Sequence, residues 1–166
     1  MKAEITLNLR TREVYKLFER KISGDRLFID AILHKMNIII SRCHKQDSAA
    51  FKVLYEMEKL LDTLIQEFVS ETKRFEALLF KKKEFKDKQI NFVVQFHPKI
   101  IISNPTSEKL VALIEAYDLL VALMKLLHLC GCFDSNNSYL NNVRNLQKTV
   151  NKNLSHILLS RIKEQP

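Results

Sequence analysis

The chain has 166 residues, 46% of them hydrophobic and 28% charged, a balance that builds a globular core and does not suit a disordered chain. Only two glycines occur, Gly24 and Gly131, so neither a P-loop nor a dinucleotide-binding turn can be assembled. Lys and Arg number 27 against 19 Asp and Glu, and the net charge of +8 suits a nucleic-acid partner or an anionic surface.

The elements read as follows in chain order. Residues Glu4 to Arg10 alternate strictly, with Ile5, Leu7 and Leu9 on one side and Glu4, Thr6, Asn8 and Arg10 on the other. That period of two predicts a strand with one buried face. Thr11 is the expected cap of a helix whose apolar positions are Val14, Leu17, Phe18 and Ile22. Ser23-Gly24-Asp25 is expected to end this helix and cap a second one, which carries Phe28, Ile29, Ile32, Leu33, Met36, Ile39 and Ile40. Asp47-Ser48 starts a third, longer helix that can reach Phe80, with Glu71 as the lapse in its three-and-four spacing. Ile90 to Phe96 and Ile100 to Ser103, either side of His97-Pro98-Lys99, read as a β-hairpin. Asn104-Pro105 opens a fourth helix ending near Cys130-Gly131. Asp134 to Ser138 read as a loop, and Tyr139, Val143, Leu146, Val150, Leu154, Ile157 and Leu158 mark a fifth helix.

The fold class is therefore α+β, mostly α. Charge divides the chain into an amino-terminal module, residues 1–45 with ten basic and five acidic side chains, and a helical body, residues 46–166, which can also be continuous with it. Three cysteines, Cys43, Cys130 and Cys132, are too few and too uneven for a secreted disulfide framework. Met1-Lys2-Ala3-Glu4 begins no signal peptide, and the apolar stretch from Leu110 to Phe133 is broken by Glu115, Asp118, Lys125 and His128. A cytoplasmic protein, associated with the nucleoid and not with a membrane, is the expectation.

A lone strand needs a hydrogen-bonding partner. A second copy of the chain can supply one, giving an antiparallel ribbon in which Ile5, Leu7 and Leu9 serve dimerisation and Thr6, Asn8 and Arg10 point outward. The alternative is an edge strand in a sheet of the same chain, with the 90–103 hairpin as its neighbour. A two-stranded ribbon fits the DNA major groove, where hydroxyl, amide and guanidinium groups read base edges.

Asn8-Leu9-Arg10-Thr11-Arg12-Glu13-Val14 resembles the strand-to-helix passage of ribbon–helix–helix repressors such as Arc and MetJ. The resemblance implies an intertwined homodimer that binds double-stranded DNA. It places Lys2, Thr6, Asn8, Arg10 and Arg12 at the DNA, with Ser23, Gly24 and Arg26 at a phosphate-binding start of the second helix. A second resemblance covers the remainder. The segment Asn91–Phe96, then Asn104-Pro105 and a helix with Tyr117-Asp118-Leu119-Leu120, is similar to the AcaB-like proteins. Those are encoded on conjugative plasmids and integrative elements and linked to transcriptional activation.

Sites of other chemistry are sparse. His128-Leu129-Cys130-Gly131-Cys132, even joined by Cys43-His44, does not give the two spaced pairs of a structural zinc site, so no metal and no cofactor are expected. The lysines at 81, 82, 83, 86 and 88 can meet phosphates or simply favour the end of a long helix. Asp118 lies on an otherwise apolar helix, so once buried it must be paired or capping. No nucleophile elbow or His-Glu-x-x-His helix occurs, and an enzyme is not expected. The reading is a sequence-specific regulator of a mobile genetic element that acts as a homodimer and can contact another regulator. The alternative is a helical adaptor or accessory subunit of a conjugation or secretion system that binds no DNA.

Overall fold

The structure is a computed structural model that describes residues 1–163, so the last three positions of the 46–166 body lie outside it. Its elements in order are β1 (Ala3–Thr6), α1 (Arg12–Glu19), β2 (Lys21–Ser23), β3 (Arg26–Leu27), α2 (Phe28–His44), α3 (Ser48–Phe80), β4 (Lys99–Ile102), α4 (Pro105–Leu129) and α5 (Asn136–Leu159). The α+β, mostly α class holds.

Helix α4 is the centre of the molecule. Its apolar side chains go right round the helix, which requires burial on all sides. Leu113, Tyr117, Leu120, Val121, Leu123 and Leu127 are all buried, and α3, α1, α5 and α2 pack around them. The start of α4 is fixed by a capping box: Asn104 Oδ1 accepts from the Ser107 amide at 2.8 Å, and Ser107 Oγ accepts from the Asn104 amide at 3.2 Å. Lys109 Nζ lies 2.7 Å from Asp62 Oδ2 and ties α4 to α3. Helix α3 runs the full predicted length, and Thr72, not Glu71, takes the inward position where the apolar spacing lapses. Asp47 caps α3 by accepting from the amides of Ala49 and Ala50. One contiguous core of buried side chains extends from Leu7 to Ile157.

Strand β1 finds its partner in its own chain. It pairs antiparallel with β4, Ala3 opposite Ile102, Glu4 opposite Ile101, Ile5 opposite Ile100 and Thr6 opposite Lys99. The pairing continues beyond the strands, with the Leu7 amide donating to the Pro98 carbonyl and the Leu9 amide to the Phe96 carbonyl, both at 2.9 Å. This corrects the ribbon expected between two copies. Leu7 and Leu9, assigned to dimerisation, are fully buried in the chain's own core, and Ile5 is half-buried against it.

The 90–103 hairpin is corrected as well. Only Lys99–Ile102 forms a strand there, and its ladder runs to β1. His97-Pro98 is no turn, because the residue before a proline favours extended backbone and the Pro98 carbonyl is taken up by Leu7.

The two helices expected between Thr11 and His44 are separated by a further element. Between α1 and α2 stands a small hairpin, Lys21–Ser23 against Arg26–Leu27, turned at Gly24 with φ +55°. Ser23-Gly24-Asp25 therefore does not cap the second helix, whose N-cap is Leu27. Thr11 occupies the N-cap position of α1, but its side chain makes no capping bond to the helix. The loop expected at 134–138 is shorter, since α5 already begins at Asn136 behind its Ser135 cap.

Candidate nucleic-acid interface

The alternation read at the amino terminus survives as geometry. Ile5, Leu7 and Leu9 turn inward while Glu4, Thr6 and Asn8 stand exposed. Because the ladder partner is β4, its outward residues join them. Thr6 faces Lys99 across the ribbon, and Asn8 Oδ1 lies 3.1 Å from His97 Nδ1. The exposed face is thus Thr6, Asn8, His97 and Lys99, with Lys2 at the open end and Glu4 bridged to Lys99 at 3.0 Å. Four hydrogen-bonding side chains on a two-stranded antiparallel ribbon have the dimensions and chemistry that a DNA major groove accepts.

At the other end of the ribbon the side chains stack. Phe96 bridges to Leu9 and lies on Tyr15 of α1, with ring centroids 4.7 Å apart and planes 16° from parallel. The Arg12 guanidinium sits 5.6 Å from the Tyr15 ring and 5.9 Å from the Phe96 ring, and it also pairs with Glu19 at 3.1 Å. Arg12 remains more than half exposed, so its cation is presented at the end of the ribbon marked by Phe96 and Tyr15.

Arg10 behaves differently. Its guanidinium Nη1 donates to Asp118 Oδ2 at 3.1 Å, and the Arg10 amide donates to both oxygens of the same carboxylate. The Thr11 amide and hydroxyl donate to Oδ1 at 3.0 and 2.7 Å. Asp118 is fully buried. Its carboxylate collects the donors left at the strand-to-helix joint and pins β1 and α1 to the central helix. This is the pairing expected of a buried aspartate on an apolar helix. Nearby, Lys125 Nζ lies 2.7 Å from Glu13 Oε2, an ion pair without hydrogen-bond alignment, which adds a second tie between α1 and α4. Burial first, then the charges of Glu13 and Asp118, pushes the Tyr117 hydroxyl well above the usual phenol range.

The remaining predicted contacts lie apart from the ribbon's ladder. Ser23, Gly24 and Arg26 are exposed on the β2–β3 hairpin, where Lys21 pairs with Asp25 at 3.2 Å. In the lysine run, Lys82 Nζ donates to the Cys130 carbonyl at the end of α4, while Lys81, Lys83, Lys86 and Lys88 are exposed. His128 stacks on Tyr139 with centroids 4.1 Å apart. Cys43 is buried in α2, and its thiol is pushed up by burial and then by the Asp47 charge. Among the described residues no three His, Cys, Asp or Glu side chains converge as a metal site.

Sequence reasoning missed His97 and Lys99 as members of this face. The signal was present: residues 91 to 100 alternate exposed and covered as regularly as residues 4 to 9. It was obscured by Pro98, which reads as a turn.

Ribbon and helices together define an α-dominated α+β fold in which a short in-chain β-ribbon is docked on a central apolar helix. AcaB from uropathogenic E. coli, whose crystal structure was determined with selenomethionine, has a similar fold: the TM-score is 0.74 at 15% identity, over 95% of this chain and 77% of that one. No protein-family model matches the chain, and none of the curated proteins does.

Proposed function

We propose that this chain is a sequence-specific DNA-binding transcriptional regulator of a mobile genetic element, without catalytic activity or cofactor, acting as a homodimer at the nucleoid. The observation that carries the reading is the exposed ribbon face of Thr6, Asn8, His97 and Lys99, flanked by Arg12 on its aromatic stack. Thr6 and Asn8 keep the reader role inferred from the motif. His97 and Lys99 enter it from the opposite strand, while Arg10 acts through Asp118 as a positioning residue. Lys2 and Arg12 meet phosphates, as do Ser23, Gly24 and Arg26 of the hairpin, and these contacts set register without reading sequence. The fold shared with AcaB agrees with the resemblance drawn from the sequence.

Fluorescence anisotropy on duplex DNA across a salt series tests this, followed by selection of a preferred site. Six to ten phosphate contacts cost roughly 10³–10⁵ in affinity between about 50 and 200 mM salt. Asn8→Ala with His97→Ala should abolish sequence preference and leave the helical content intact. Preference retained in that variant, or no binding at low salt, overturns the reading.

A second reading is a helical adaptor or accessory subunit of a conjugation or secretion apparatus. The pairing of β1 inside the chain favours it, since that strand does not call for a second copy. So do Phe51 and Tyr55, exposed one turn apart on α3. Binding to protein partners but not to DNA would select it.

A further inference from the structure

We propose that residues 90–96 form an open sheet edge that pairs antiparallel with the same segment of a second copy of this chain. The segment has the habit of a strand. Ile90, Phe92 and Phe96 are half-buried against the core and Val94 is half-buried, while Asn91, Val93 and Gln95 are exposed. Its ladder with the amino terminus begins only at Gln95 and Phe96, whose amides both donate to the Leu9 carbonyl. Residues 90–94 make no backbone–backbone hydrogen bond among the described residues. They overhang the ribbon where α1 carries the chain away, and their donors and acceptors can be satisfied by water or by another strand. Apolar surface gathers beside the overhang. Val93 is 77% exposed and Leu129 82%, and both line a cleft together with Gln95. Phe80 is also exposed, on the cleft at the other side.

The sequence of the segment selects its own copy as the partner. An isologous pair requires a strand that is its own complement when reversed. Around Val93 the chemistry is palindromic: Phe92 meets Val94, Asn91 meets Gln95, Ile90 meets Phe96 and Gln89 meets His97. The first three pairs set apolar against apolar and amide against amide, the combinations that stabilise antiparallel strands, and the fourth sets an amide against an imidazole. Residues 89 to 98 contain no Asp, Glu, Lys or Arg, in a chain that is 28% charged, so two copies meet without repulsion. The same register brings Asp87, in the turn before the run, toward Lys99 of the second copy. Lysines at 88 and 99 bound the neutral run and oppose pairing that slips past its ends. This dimer does not depend on DNA binding, and DNA is left out of its test.

Sedimentation velocity on the full chain across a wide concentration series should show a species of twice the 19.5 kDa chain mass. Val93→Pro removes a backbone donor at the centre of the pair, and proline suits extended backbone that makes no bond within the chain. It should weaken the dimer at least about tenfold while the helical circular dichroism stays unchanged. Val93→Lys, which opposes two like charges across the axis, should do the same. A wild-type chain that is monomeric throughout, or folded variants that dimerise as tightly as wild type, overturns the proposal.

Discussion

Asp118 shows how one buried charge is tolerated at the heart of an apolar helix. Its two oxygens accept from the backbone of Arg10 and Thr11, from the Thr11 hydroxyl and from the Arg10 guanidinium, so its charge is matched on all sides. Removing it orphans several buried donors at once, each costing about 1–3 kcal/mol. Asp118→Ala should therefore lower unfolding stability by about 3 kcal/mol or more in denaturant melts. Asp118→Asn, which retains acceptor capacity toward Thr11, should cost less. Equal losses in the two variants would show that the hydrogen bonds matter less than the charge.

Tyr117, next to Asp118, gives a pH signature. Its folded-state pKa lies above that of the unfolded chain, so its contribution is fully present below the ordinary phenol range and is lost as pH rises beyond it. Tyr117→Phe should flatten the alkaline limb of the stability curve above about pH 10. An unchanged limb would move the cause to another group.

At the scale of elements, helix ends are set by local chemistry that the sequence displays. Asp47 before α3 accepts from the Ala50 amide, and this bond, with Arg42 beside it, holds its carboxyl below the usual range. A depressed pKa means that the stabilisation is present at neutral pH and fades as pH falls through the carboxylate range. Asp47→Asn keeps the capping geometry without the titration. The stability curves of variant and wild type should differ at neutral pH and converge in acid.

Strands are different, because their energy depends on a distant partner. Leu9 is a core residue of the whole fold, not of an interface between copies. Leu9→Ala should cost about 2–5 kcal/mol independent of protein concentration. A loss that grows on dilution would return Leu9 to a subunit interface.

At the scale of the whole molecule, the ribbon sits on a rigid support. Helix α4 holds the joint of β1 and α1 through Asp118 and Lys125 and is itself held by α3, α2 and α5. Under the proposed function, a surface on such a base has little freedom to lose on binding, which favours defined base contacts over adaptable ones. Charge is arranged with the same economy. Lys99 on the ribbon and Arg12 at its end are paired with Glu4 and Glu19. Such exposed pairs contribute little stability and exchange readily for phosphate. If the proposed function holds, neutralising both acidic partners with Glu4→Gln and Glu19→Gln should tighten DNA binding modestly at low salt, and anisotropy reads this directly.

The sequence by itself determined the long helices, the caps of α3 and α4 at Asp47 and Asn104, the inward positions of Leu7 and Leu9 and the need to pair Asp118. These rest on periodicity, capping chemistry and the cost of an unpaired charge, all expressed within a few residues. Only the tertiary structure decided which strand β1 would meet, that Arg10 would be turned inward, and that His97 and Lys99 would stand beside Asn8. A β-ladder joins residues about ninety positions apart, and any strand of matching alternation satisfies its backbone equally well. The choice between a partner in the same chain and one in a second copy is made by the packing of all the helices together, which no local pattern records.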